Sequence, residues 1–380
     1  MLTLLATAVI YNTIFFCSFL LLQNRKKHLN SKSYLDVRIF FAYFLLWIVS
    51  VIRYDIGADY ENTVYDIIEV KNSIKNGATI VAYITESMKE PGLFFFTLIF
   101  NSFPSTHLWV IAAYFTIFIY FLYKVFNAYN IHKWGIIVLY LSIIIFQTWD
   151  WIRQGTAMAI VLYAIHLYES SKYKKFILTC ILSAFFHYSS LFVIPFVILF
   201  KRFHISSKLM VLILCAILAL SINGIFKAIY GMLISLIPFY GEIYIESSKY
   251  AMFEEQSYTS VPFLLNALWL IFIVYSSKEN YKLWTQLLFV GAILFMISGG
   301  SLLIDRLAWY FTCSQLIIVP YVINFNRSKI FRFLLTIFII SHIVLLNRRF
   351  FIQGELRGCV PYQTILSNEA DYLQFRYREN

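Results

Sequence analysis

The sequence predicts an all-α, polytopic transmembrane helical bundle, and two observations carry that class. The chain of 380 residues is 60% hydrophobic and only 13% charged, with a mean hydropathy of +0.71. Soluble domains run at about a quarter charged, so a water-soluble molecule of this composition would lack the polar residues to cover itself. The apolar runs are also mostly 15 to 22 residues long and do not alternate in polarity. That is the length of a membrane-crossing helix, whereas a transmembrane barrel needs alternating segments of about 10 residues.

Taken in order, the polar breaks define about twelve spans: 2–22, 36–52, 105–126, 134–148, 154–169, 176–187, 189–200, 208–222, 261–275, 283–298, 305–323 and 330–346. The first 22 residues lack a basic leading segment and a convincing cleavage site, so they read as a retained span and not a signal peptide. The piece "PGLFFFTLIFNSF" (91–103) is short for a crossing and reads as re-entrant or interfacial. Long outward loops are expected near 53–104 and 223–260, the second an amphipathic cover over the membrane or the site. No internal repeat, low-complexity tract or soluble insertion interrupts the chain, which reads as one domain, 1–380.

Loop charge orients the bundle. Arg25, Lys26, Lys27 and Lys32 follow the first span, Lys172, Lys174 and Lys175 another, Lys201, Arg202 and Lys208 a third, and Arg327, Lys329 and Arg332 a fourth. With the spans as counted these clusters share one face, which the positive-inside rule makes cytoplasmic. The opposite loops are acidic or balanced. The net charge of +11 is therefore a topology signal and not a nucleic-acid footprint. The cysteines, Cys17, Cys180, Cys215, Cys313 and Cys359, are odd in number and form no CxxC, so neither a disulfide framework nor a zinc site is indicated. Neither GxxxxGK[ST] nor GxGxxG occurs, so nothing suggests ATP as an energy source and any chemistry must start from an activated substrate.

Polarity concentrates on the outward edge. "VIRYDIGADYENTVY" (51–65) brings Arg53, Tyr54, Asp55, Asp59 and Tyr60 directly after an apolar run, and "TWDWIRQGTAMA" carries Arg153 and Gln154. Asp150 and Arg153 stand at helical spacing and are expected to pair. "LLIDRLAWYF" adds Asp305 and Arg306, with Tyr310 one helical turn on. One such arginine is as well explained by snorkelling or a structural ion pair. Several on one face, beside Trp149, Trp151, Tyr54 and Tyr60, suit an anion at headgroup level: guanidinium groups pair with phosphate oxygens and rings stack on sugar faces. In "LSAFFHYSSLFVIPF", His187 sits at the turn of a strongly apolar segment. It is either a packing histidine bonded to a carbonyl or a polar group aimed at substrate. His28, His132 and His204 are expected in solvated cytoplasmic loops.

These stretches, in this order, resemble the EpsG family of bacterial exopolysaccharide proteins, relatives of the Wzy O-antigen polymerases. The family's R-Y-x-[IV]-G-x-D-Y element is matched by Arg53, Tyr54, Ile56, Gly57, Asp59 and Tyr60, and its E-x-G element by Glu90 and Gly92. Its [IL]-R-Q-x-x-A element is matched by Ile152, Arg153, Gln154 and Ala157, and A-x-x-F-H-x-S by Ala184, Phe186, His187 and Ser189. D-R-x-x-x-Y is matched by Asp305, Arg306 and Tyr310, and a late P-Y by Pro361 and Tyr362. Departures are Ala58, where threonine is common, and Tyr188, where serine is common. The resemblance implies a metal-independent, cofactor-free glycosyltransferase in the bacterial cytoplasmic membrane. It would join oligosaccharide repeat units carried on undecaprenyl diphosphate, as donor and acceptor, at the outer face, with a chain-length regulator and a flippase as further partners. Arg153, Arg306 and Arg53 would hold the diphosphate, His187 or Asp59 would take the acceptor proton, and Asp55 and Asp305 would orient arginines. Tyr54, Tyr60, Gln154 and Tyr310 would line the substrate site.

Other classes fit less well. A flippase or transporter for the same lipid should carry polar groups along its spans, yet the inner halves are almost purely apolar. A ligase-like glycan transferase shares the chemistry and is the nearest rival. An acyltransferase is expected to place an acid beside its histidine, and "FFHYSS" has none adjacent in the chain.

Overall fold

The structure, a computed structural model, describes residues 2–23, 36–87, 90–226, 258–277, 281–298, 302–326, 328–350, 359–360 and 362–365. The chain divides into two compact units: residues 1–191 with 342–380, and residues 192–341.

The first unit contains α1 (Leu2–Gln23), α2 (Val37–Val51), α3 (Tyr60–Lys75), α4 (Ile80–Ser87), α5 (Pro91–Ile99), α6 (Thr106–Tyr129), α7 (His132–Leu141), α8 (Ile144–Asp150), α9 (Ile152–Glu169) and α10 (Tyr173–Phe186). At its centre is α9, whose residues Gly155 through Leu162 are all buried whichever way they point. A helix apolar on every side belongs in an interior, and α6, α8 and α10 pack around it. Helix α1 packs on α2 and α7, α2 on α6, and α5 lies against α3, α4, α6 and α10. A tight 3-10 turn, Tyr188–Phe192, follows α10.

The second unit contains α11 (Val193–Arg202), α12 (Ser207–Ile222), α13 (Val261–Ser276), α14 (Lys282–Ile297), α15 (Leu302–Thr312) and α16 (Gln315–Phe325). Helix α14 packs against each of the others. Ser206 and Ser260 cap α12 and α13 by accepting the backbone N–H of Leu209 and Phe263. Gly291 is forced by the α14–α15 packing, since a Cβ there would stand 2.6 Å from the Thr312 nitrogen. Helix α17 (Lys329–Arg348) runs from this unit into the first.

Among the described residues, four stretches of helix are long and apolar enough to cross a membrane: Leu4–Gln23, Thr106–Tyr129, Ile304–Phe325 and Lys329–Arg348. Four shorter apolar helices, α2, α12, α13 and α14, accompany them. Large apolar side chains stand bare on the outside, among them Leu178, Leu212, Ile330 and Phe333. The chain is a helical membrane protein, but helix length alone does not deliver a count of twelve spans. The expected span 134–148 is two short helices, broken where Ile143 takes a left-handed backbone at φ +54°. The two expected spans around His187 are helices of 14 and 10 residues.

Residues 53–104, expected as a loop, are largely helical. Tyr60, Val64, Ile67 and Val70 give α3 one buried stripe at helical spacing, and Pro91 starts α5 at its first turn. With nine residues, α5 is about 14 Å long, roughly half the hydrocarbon thickness. The cover expected over 223–260 falls mostly outside the described residues. His132, expected in solvent, is buried and shares a 2.8 Å hydrogen bond with the Tyr43 hydroxyl. Among the described residues no cysteine forms a disulfide.

Candidate functional site

Residues 90–93, "EPGL", decide the geometry around His187. Glu90, in an extended conformation, precedes Pro91 at the N-terminus of α5, as a residue before proline prefers. Gly92 is buried against α10: a Cβ there would lie 2.8 Å from the Phe185 carbonyl oxygen. Because Gly92 has none, α5 starts directly on the end of α10, where His187 leaves the helix in extended conformation. The Glu90 carboxylate thereby reaches His187, with Oε1 2.5 Å from Nδ1.

The other Glu90 oxygen, Oε2, accepts from Arg153 Nη1 at 3.1 Å, and Arg153 Nη2 lies 3.4 Å from Asp66 of α3. Arg153 stands in the first turn of α9, just after the chain kinks at Trp151 (φ −107°, ψ 68°). That kink separates Asp150, the last residue of α8, from the α9 register. The expected Asp150–Arg153 pair is replaced by Arg153 with Glu90 and Asp66, while Asp150 Oδ1 accepts the Asp59 backbone N–H at 2.9 Å. Glu90 is buried, whereas the His187 and Arg153 side chains keep 24% and 29% of their surface open. Burial of the Glu90 carboxyl pushes its pKa up, but the His187 hydrogen bond and the Arg153 charge outweigh this and hold it below the ordinary 4.5. His187 Nε2 has no hydrogen-bond partner among the described residues. Around the turn, Ser183 accepts the His187 N–H through its carbonyl, and its hydroxyl bonds the Ser190 hydroxyl at 2.9 Å.

Arg53 is placed differently from its expected position at an open edge. It is 2% exposed; Nη1 donates to the Ser50 carbonyl at 2.8 Å and Nη2 to the Trp149 carbonyl at 3.1 Å. Its guanidinium lies 4.6 Å from the Phe115 ring centre and about as far again as hydrogen-bond reach from Tyr60 and Trp149, at 6.0 and 5.8 Å. Burial lowers its pKa to about 10, which leaves it charged at neutral pH. This is a brace between the end of α2 and α8. Gly57, at φ +103°, lies where a Cβ would stand 2.9 Å from the Trp149 carbonyl oxygen, so the turn 53–59 folds tightly onto the same helix. Asp55 takes φ +50° in that turn, and Tyr54 meets the buried Tyr60 edge-on at 6.2 Å. Asp59 precedes α3, half-buried, and its Oδ1 accepts from Asn62.

Of the residues singled out in the sequence, the structure joins Arg153 and His187, and it clusters Arg53 with Tyr60. Gln154 is buried in the first turn of α9. Asp305 and Arg306, half-buried, and Tyr310, buried, belong to α15 in the second unit. The residue that sequence reasoning left without a chemical role is Glu90. Its signal was present in "EPG", an acid fixed before a helix-starting proline at the head of an apolar segment. His187 does have a carboxylate neighbour, supplied by Glu90 from 97 residues away in the chain.

The fold is that of a helical membrane protein in which a buried acid, Glu90, joins a histidine and an arginine. A family model described as the EpsG family matches residues 37–364, and the chain belongs to that family. No curated protein and no solved structure matches it. With the carboxylate argument gone, the case against an acyltransferase rests on this membership.

Proposed function

We propose that this protein is a repeat-unit polymerase: a glycosyltransferase that joins undecaprenyl-diphosphate-linked oligosaccharides into a surface polysaccharide at the outer face of the bacterial cytoplasmic membrane. The single observation that carries the reading is the Glu90–His187 contact in a member of the EpsG family. In the reaction, a hydroxyl oxygen of one unit forms a bond to the anomeric carbon of another. The anomeric carbon–oxygen bond to the diphosphate breaks, and the electron pair leaves with undecaprenyl diphosphate. The acceptor proton goes to His187 Nε2 and from there to solvent. Because diphosphate is already a good leaving group, positioning and a base are what the protein must add. No metal or cofactor enters this scheme. The outward side follows from the basic clusters assigned to the cytoplasmic face.

The test uses purified protein and lipid extracted from the source strain lacking this gene, with product length followed on a gel. Wild type should build a ladder. His187→Ala should slow it by roughly 10²–10⁴-fold, as expected for loss of a general base, and Arg153→Ala should also lose it with the protein still folded. Asp59→Asn and Arg306→Ala, run alongside, report the share of those two residues. Transfer of single units to a different acceptor would instead establish a ligase-like transferase. Movement of the lipid across vesicles without any transfer would make the protein a transporter.

A further inference from the structure

Resting on that reading, the cluster also indicates which half of the reaction it serves. One guanidinium, Arg153, faces two carboxylates, Glu90 and Asp66. Both forks of the guanidinium are directed at acids of the chain itself, and the paired geometry that would grip a phosphate is already occupied. A diphosphate brought here would have to displace Glu90 or Asp66 from the guanidinium, whereas a neutral hydroxyl losing its proton to His187 displaces neither.

Glu90 also settles which imidazole nitrogen acts. A carboxylate held below its ordinary pKa accepts a hydrogen bond and does not donate one, so the proton of neutral His187 sits on Nδ1. Nε2 then carries the free lone pair, and it is this nitrogen that has no partner among the described residues. A second polar group waits at the same place. The Tyr114 hydroxyl is buried without a hydrogen-bond partner among the described residues, and its ring meets that of Phe186, the residue before His187, edge-on at 5.3 Å. It is a donor and acceptor held ready beside the acid pair.

We propose that Glu90, His187, Arg153, Asp66 and Tyr114 form the acceptor-hydroxyl subsite, that Glu90 is the positioning residue that fixes His187 as base, and that the lipid diphosphate is held by groups outside this cluster. Arg153 on this assignment positions Glu90 and does not ligate phosphate.

The experiment follows two binding events and turnover on the full-length protein in detergent. The probes are undecaprenyl diphosphate and the oligosaccharide released by mild acid from the strain's own lipid. Glu90→Gln is expected to lower kcat by ~10–100-fold, the size of effect typical for a residue acting through its neighbour. It should leave the binding of undecaprenyl diphosphate within twofold of wild type, and Glu90→Asp should recover part of the loss. In the His187→Ala background, Glu90→Gln should cost nothing more, because its effect passes through the imidazole. A merely structural Glu90 would give losses that multiply, and that result overturns the assignment. So would Arg153→Lys or Glu90→Gln weakening undecaprenyl diphosphate binding tenfold while oligosaccharide binding is unchanged. If wild type binds the oligosaccharide through these residues yet builds no chain, the subsite stands and the polymerase reading falls. If it neither binds the oligosaccharide nor builds a chain, both fall.

Discussion

At the scale of single residues, two arginines with the same sequence signature have opposite placements. Arg53 follows Ile52 and Arg153 follows Ile152, and each stands within three residues of an aspartate and of an aromatic ring. Arg53 is turned inward onto two backbone carbonyls and a phenyl face, whereas Arg153 keeps an open edge and meets two acids. Removing Arg53 strands two buried carbonyls, and at ~1–3 kcal/mol for each unsatisfied group the Arg53→Ala variant should lose about 2–6 kcal/mol. Arg53→Lys should lose nearly as much, because an ammonium cannot fork to both oxygens. Thermal unfolding in detergent tests this, and a wild-type melting temperature in Arg53→Ala would show that the residue is no brace. Glu90 makes a prediction with a sign. Its folded pKa lies below the ordinary 4.5, so its ion-pair contribution is complete above that value and is lost as pH falls through the lower folded one. The melting-temperature gap between wild type and Glu90→Gln should therefore be constant from pH 7 to about 5 and close below 4.5. A gap that closes already between pH 7 and 6 would mean that another group sets it.

At the scale of elements, glycines determine what can touch. Gly92→Ala places a methyl against the Phe185 carbonyl, and backbone cannot swing away as a side-chain tip can. Helix α5 must back off by several tenths of an ångström, which lengthens the Glu90–His187 contact at its other end. Chain-building activity should fall by ~10-fold or more, since a small misplacement of a catalytic pair is costly, while the melting temperature changes little. Gly77, at φ +83° with nothing within 4 Å, supplies the control. Gly77→Ala meets strain alone, about 1 kcal/mol, and should keep full activity. An equal activity loss in both variants would detach Gly92 from the site. The long apolar helices and the pieces around His187 were legible from hydropathy, since lipid demands runs of apolar residues. The helices between 53 and 104 were less so, because α3 has a mean composition close to polar and only its buried stripe betrays it. The Glu90–His187 pair was illegible for a different reason: the contact spans 97 residues of chain, and no periodicity encodes a meeting of two helix ends.

At the scale of the whole molecule, the first unit is assembled from both ends of the chain, and residues 359–360 and 362–365 act as its clasp. The Tyr11 hydroxyl donates to the Cys359 carbonyl at 2.6 Å, and the Tyr362 hydroxyl donates to that of Val49 at 2.9 Å. Backbone bonds join Tyr54 to Gln363 and Ile365 to Ile52, with Arg53 opposite Thr364 as an antiparallel bridge. The sequence hinted at this only through Tyr362, whose partner residues lie more than 300 positions away. These bonds hold residues 52–54, the very segment from which Arg53 reaches into α8, so loss of the clasp should loosen the brace as well. Tyr362→Phe removes one side-chain hydrogen bond and should cost about 1 kcal/mol. A chain ending after Arg348 removes all of them together with the Cys359 packing, and should cost several times the Tyr362→Phe loss because several hydrogen bonds and buried contacts go at once. Melting temperatures of the two variants, compared with Arg53→Ala alone and with Arg53→Ala combined with Tyr362→Phe, measure that coupling. Strict additivity between Arg53→Ala and Tyr362→Phe would mean that the clasp and the brace stabilise the unit independently. A combined loss smaller than the sum is the expected outcome, since each variant already releases the segment that the other one holds.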